Sequence, residues 1–344
     1  MLGGWSTRFL AVAVVLVGGC TVMTEPVEQY AWQLPSWLPP PLVPANNPMS
    51  REKVALGKKL FNDFRLSLNG TTSCASCHRS ELAFTDARAR SIGADGMQHQ
   101  RNAMSLINVA YAPRYGWADS SIDSLEAQTR KVFYNTQPME MGWMEHQQEI
   151  IERVAADPRL GAEFRVAFPE DEPAVNERNI TRAIASYMRT LISTDSAYDR
   201  WVYQDDSDAL TEVERRGMRL FFSKRLGCAG CHSGFNFSGP VAAAGSKMPA
   251  AQYANTGLGG DNDQGLAEVT GRRADRGRFR VPTLRNLAST APYMHDGRFN
   301  SLPAVIDHYS QIGGSPSPNL DPRLELFQLT SAEKNALIEF LAVL

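Results

Sequence analysis

The sequence is poor in the side chains that most often carry redox and metal chemistry. Its 344 residues include only five cysteines and six histidines. Five cysteines are too few for a disulfide scaffold of this size. Charge of one sign is not in excess either: 35 Lys and Arg face 37 Asp and Glu, for a formal net charge of -2. That balance leaves no electrostatic footprint for nucleic acid or an acidic polymer. Beyond residue 20 no apolar run approaches the ~20 residues of a membrane-spanning helix. Runs of alternating β-branched residues are sparse, which predicts few strands. What remains is ordinary for a globular protein, with 43% hydrophobic and 21% charged residues. The length suits about two domains.

The first twenty residues stand apart. Arg8 is their only charge, residues 9–17 are apolar, and the stretch ends in Val17-Gly18-Gly19-Cys20. The apolar part is too short to span a membrane and reads as an export signal at 1–19. A cysteine after two small residues resembles a lipoprotein lipobox, so Cys20 is expected to be the acylated first residue. A plain cleaved signal is the alternative. Both readings put the mature protein in the periplasm of a bacterial envelope, and the first anchors it to the membrane by lipid alone. Residues 21–48 hold seven prolines and no sustained apolar period. They predict an extended tether over 20–48, against the alternative that Trp32, Trp37 and Leu38 dock on the body.

The globular part contains an internal repeat. Ser50 is a candidate cap for a helix with Leu56, Leu60 and Phe61 on one face. Thr211-Glu212-Val213-Glu214 is a capping box before Leu220 and Phe221. Each helix carries Gly-x-x-Leu-Phe (57–61 and 217–221), and each is followed by Cys-x-x-Cys-His, offset by 154 residues at the first cysteine. Cys-x-x-Cys-His is the attachment signature of c-type haem: two thiols for thioether bonds, and an imidazole for the iron. The first set is Cys74, Cys77 and His78, the second Cys228, Cys231 and His232. Four of the five cysteines are thereby accounted for. Helical spacing over 176–198 would close the first half, and the capping box at Thr330 and Glu333 opens a terminal helix. Long loops are expected at 233–280 and 310–322. The predicted fold is mainly α: two cytochrome c-like haem domains, 49–204 and 205–344, packed around an inter-haem interface with long loops.

Further segments carry a family resemblance: Ala55-Leu56-Gly57-Lys58-Lys59-Leu60-Phe61, Ala83-Phe84-Thr85-Asp86, Arg101-Asn102-Ala103, Glu140-Met141-Gly142, and RFRVPTLRNLASTAPYMHDG at 278–297. Across residues 50–344 the chain resembles the bacterial di-haem cytochrome c peroxidases, especially their MauG-like branch. The resemblance implies a peroxide-reacting first haem and an electron-transfer second haem. Where the classical members have a histidine closing the first haem, this chain has Ala94, which implies an open first haem; His99 is the alternative ligand. On the second haem the aligned ligand is Tyr309, with Met294 or His308 as alternatives. By the same resemblance Glu140 is the distal acid-base group, Gln128 a neighbouring distal amide, and Trp117 a bridge between haems. Two departures stand out. About two extra residues separate Gln128 from the glutamate, and Trp117-Ala118-Asp119-Ser120 replaces the usual Trp-Asp-Gly-Arg. The resemblance also implies calcium at Asn102, Thr290 and Pro292. The stretch 261–265 lacks the glutamate of an EF-hand and reads as a loop.

The activity implied is reduction of hydrogen peroxide, with electrons from a small c-type cytochrome or cupredoxin. A MauG-like oxidation of a partner protein's side chains and a non-enzymatic di-haem electron carrier are the competing functions.

Overall fold

The computed structural model describes residues 1, 30–260, 262–314, 317 and 319–344. Cys20 and the export signal lie outside the described residues. Side-chain caps set where the helices begin. Ser50 accepts a hydrogen bond from Lys53 N at the start of α1 (Arg51–Phe61). The short α2 (Cys74–Cys77) follows, then α3 (Leu125–Tyr134), α4 (Gln147–Ala155), α5 (Pro158–Ala167) and α6 (Glu177–Met188). The second half holds α7 (Ala197–Tyr203), α8 (Glu212–Phe221), α9 (Ala267–Thr270), α10 (Leu302–Ile312) and α11 (Ser331–Ala342). Both predicted capping boxes form, Thr211 with Glu214 and Thr330 with Glu333. The one sheet among the described residues is a pair of short antiparallel strands, β1 (Tyr253–Asn255) and β2 (Arg278–Arg280), with Tyr253 opposite Arg280. The protein is mainly helical, as its period predicts.

Two apolar cores lie in sequence order. The first packs Leu56, Leu60 and Phe61 of α1 against Ile180, Ala183 and Ile184 of α6. The second gathers Phe221, Phe237, Leu337 and Phe340. The repeated glycine explains how each is built. A Cβ on Gly57 would stand 1.9 Å from the carbonyl oxygen of Ala183, and one on Gly217 would stand 1.9 Å from that of Ala336. In each half the helix before the cysteines therefore crosses the closing helix backbone to backbone. Glycine costs about 1 kcal/mol in a helix interior; the close crossing is what it makes possible.

Three expectations change. Helix α6 stops at Met188 rather than running towards Tyr198. Asn108 takes over the chain beyond it: its N–H donates to Leu191 O at 2.7 Å, its Nδ2 donates to Ser193 O at 3.0 Å, and its Oδ1 accepts from Ser193 N at 2.9 Å. Tyr198 then packs in the second core, so the crossing between cores precedes residue 204. The proline-rich stretch is docked from residue 34 on, not a free tether. Trp37 stacks on Tyr203 with ring centroids 4.0 Å apart, and Leu38 is buried. Prolines cannot donate but their carbonyls accept: Pro39 O from the Tyr111 hydroxyl at 2.9 Å, and Pro40 O from Ala244 N at 2.8 Å. Finally, 233–280 is not loop throughout, since it contains β1 and α9 and ends in β2.

Candidate haem-binding and active site

Each Cys-x-x-Cys-His segment makes one short helical turn, α in the first and 3-10 in the second, and the two hold their histidines alike. In the first, Ser73 N donates to Ser76 Oγ at 3.0 Å and fixes the single turn of α2, whose last carbonyls lead into His78. His78 Nδ1 lies 2.8 Å from Phe84 O, and His232 Nδ1 lies 2.8 Å from Phe237 O. A carbonyl can only accept, so each Nδ1 carries the hydrogen and each Nε2 presents a lone pair. Both phenylalanines adopt left-handed backbone, φ 59° and 49°, a conformation that is uncommon outside glycine. Burial lowers the pKa of both imidazoles, that of His232 to about 4, and keeps them neutral. The four cysteines are not joined as disulfides. Two free thiols beside one oriented, neutral imidazole suit covalent haem at each site.

Beyond the histidines the halves differ. Residues 92–98 form a small hairpin, with Ile92 opposite Gln98. Ala94 sits near its tip, buried, where its N–H faces the carbonyls of Met139 at 3.0 Å and Glu140 at 3.2 Å. A methyl group there cannot ligate iron. The Glu140 carboxylate accepts from Asn135 Nδ2 at 2.8 Å, and burial pushes it up to about 7. It lies within electrostatic reach of Cys74 and Cys77. Gln128 projects from α3 with its Oε1 buried and without a hydrogen-bond partner, while Ser91 lies within hydrogen-bonding reach of the Cys77 thiol. A buried amide oxygen left unpaired among the described residues fits a site that holds a further group. His99 lies at the other end of the hairpin, its N–H donating to Ser91 O at 2.8 Å, and burial lowers its ring pKa.

In the second half, α10 brings Tyr309 within electrostatic reach of Cys231 and Cys228, and burial raises its phenol above the usual range. His308, its neighbour, is engaged through Nε2 with Thr256 O at 2.9 Å. Met294 occupies a left-handed position, φ 75°, in the turn between Tyr293 and Phe299.

Between the halves, Trp117 Nε1 donates to Asn102 O at 2.8 Å, and the indole meets His295 edge-on with centroids 6.5 Å apart. Asn102 N–H donates to His295 O at 2.7 Å, and Asn102 Nδ2 donates to Arg88 O at 2.7 Å. Thr290 and Pro292 precede that histidine on the same loop; Thr290 Oγ1 donates to Leu287 O at 3.3 Å, and a cis bond precedes Pro292. Trp117 and Asn102 thus meet at the seam. The Phe84 and Phe237 carbonyls were not foreseen, because an acceptor supplied by the backbone leaves no mark in residue type.

Two thiol pairs, each followed by an oriented imidazole, define a two-haem c-type cytochrome. The sequence profile of the family described as di-haem cytochrome c peroxidase matches residues 51–207. The methylamine utilization protein MauG of Methylorubrum extorquens is 37% identical over 303 residues, covering 88% of this chain and 80% of its own. Cytochrome c551 peroxidase of Nitrosomonas europaea is 34% identical, covering 78% of this chain and 76% of its own. A crystal structure of a MauG-like protein associated with microbial copper homeostasis is 37% identical with a TM-score of 0.87, covering 91% of this chain and 95% of that one. The chain belongs to the di-haem cytochrome c peroxidase family and is a haem oxidoreductase carrying two c-type haems.

Proposed function

We propose that the protein reduces hydrogen peroxide at the site of Cys74, Cys77 and His78, with electrons entering through the site of Cys228, Cys231 and His232. When bound, the haems supply the two-electron redox chemistry that splits the O–O bond. Overall, one peroxide, two electrons and two protons give two waters. The observation that carries the reading is the pairing of Ala94 with Glu140: a position without a ligand is hydrogen-bonded to the backbone of the residue whose buried carboxyl is raised to about 7. A carboxyl poised near neutral pH can take a proton from one peroxide oxygen and return it to the other. The Gln128 amide orients the peroxide. Trp117 relays charge between the halves, and Tyr309, near Cys231 and Cys228, would help to hold the second haem.

The electron donor is a small c-type cytochrome or cupredoxin. Calcium held by Asn102, Thr290 and Pro292 would fix the seam. The export signal and Cys20 assign the protein to the periplasm, lipid-anchored; no described helix is long and apolar enough to cross a membrane. A second reading, oxidation of a partner protein's side chains, is favoured by Tyr309, since phenolate ligation stabilises high oxidation states. Steady-state peroxide turnover with reduced cytochrome separates the two. Fast turnover that falls ~10²–10⁴-fold in Glu140→Gln supports the peroxidase. An oxidised state that persists until a protein substrate is added supports the second. Turnover unchanged in Glu140→Gln contradicts the assignment of Glu140.

A further inference from the structure

Two arginines five residues apart, both buried, have their charges answered in different ways. Arg285 is 1% exposed. Its Nη1 and Nη2 donate to the two oxygens of Asp199 at 2.5 and 2.7 Å, and its Nε donates to Phe235 O at 2.8 Å. A fork-to-fork pair of that kind is complete within the polypeptide.

Arg280, on β2, is 9% exposed. Its backbone N–H donates to Trp117 O at 2.7 Å, its Nε donates to Gly116 O at 2.9 Å, and its Nη2 lies against Met104 Sδ. These partners carry no charge. The titratable groups facing it are the phenols of Tyr253 and Tyr115, both raised by burial and so neutral. No carboxylate among the described residues pairs with it. A guanidinium cannot shed its proton to escape burial, and a buried cation with no counter-charge is strongly unfavourable. Among the described residues nothing answers that charge, and an anion on a bound group would. The haems bring carboxylates into this region: Arg280 is two residues from Pro282, whose carbonyl stands close to the His232 imidazole.

We propose that Arg280 is the counter-ion of a propionate carboxylate on the haem held by Cys228, Cys231 and His232. With its Nε on Gly116 O and its backbone N–H on Trp117 O, the same residue ties that haem edge to the backbone at Trp117. Arg280 is thus a cofactor-binding residue as well as a link across the seam. This inference rests on haem being bound and not on peroxide being the oxidant, so it is tested without turnover.

The test is spectroelectrochemical titration of the two-haem protein, wild type, Arg280→Gln and Arg280→Lys, with haem content checked for each. Loss of the cation leaves the propionate uncompensated and favours ferric iron. The expected result is a lower midpoint potential for the second haem alone in Arg280→Gln, largely restored in Arg280→Lys. Unchanged potentials, or a shift confined to the first haem, would overturn the assignment. So would a wild-type second-haem potential that follows added acetate or phosphate, since a free anion would then be the partner. If Arg280→Gln does not take up two haems, resonance Raman spectra of wild type and Arg280→Lys decide. A shifted propionate-bending band supports the pair, and an identical band refutes it.

Discussion

In the first half, Gly57 of α1 lies against the backbone of Ala183, and His78 is held by the Phe84 carbonyl. In the second half, Gly217 of α8 lies against Ala336, and His232 is held by the Phe237 carbonyl. Up to the histidines the halves are one design used twice. Past them, the first half offers Ala94 beside Glu140, whereas the second offers Tyr309 beside Cys231 and Cys228. The shared part places and orients a cofactor. The part that differs decides what that cofactor can do, because an iron with two strong ligands passes electrons and an iron with an open face can react.

The largest effects should come from attacking what the halves share. Gly57→Val and Gly217→Val each force a side chain into a carbonyl that cannot move aside. Each should cost ~3 kcal/mol or more and sharply reduce the yield of haem-loaded protein. A large loss at one glycine only would break the equivalence of the halves, and thermal melts measure it. Next comes an attempt to erase their difference. Ala94→His places an imidazole where the family's classical members keep one; the first haem should turn low-spin in the ferric absorption spectrum and lose its response to peroxide. A spectrum unchanged from wild type would show that this position does not face the iron.

The pH dependence of Glu140 gives a smaller effect with a definite sign. Its folded value, about 7, lies above the ordinary 4.5, so the folded state holds the proton more tightly than the unfolded one. The stabilisation is complete below pH ~4.5 and is lost as the pH rises through ~7, up to ~3 kcal/mol in all. Denaturant titrations of Glu140→Gln should lack that slope. Peroxide activation, which needs the base form, should instead rise with pH through ~7 in wild type. Trp37→Ala is the mildest, removing one stacked ring from the docked arm for about 1–2 kcal/mol, with no change at either haem.

The halves were also unequally legible in the sequence. Ser50, Thr211 and Thr330 announce their helices because a cap is a local bond between near neighbours. The haem sites are legible because thiols and imidazole must follow one another closely. The end of α6 was not, since it is set by Asn108 some eighty residues earlier. Docking of the proline-rich arm depended on Tyr203, Tyr111 and Ala244, three distant parts of the chain. Arg280 looked like any arginine, because what distinguishes it is that no carboxylate among the described residues pairs with it.

Electron paramagnetic resonance of the resting ferric protein tests the inequality of the haems most directly. One high-spin and one low-spin signal are predicted, the high-spin signal alone responding to peroxide and the low-spin signal alone changing in Tyr309→Phe. Two low-spin signals, both indifferent to peroxide, would contradict the account.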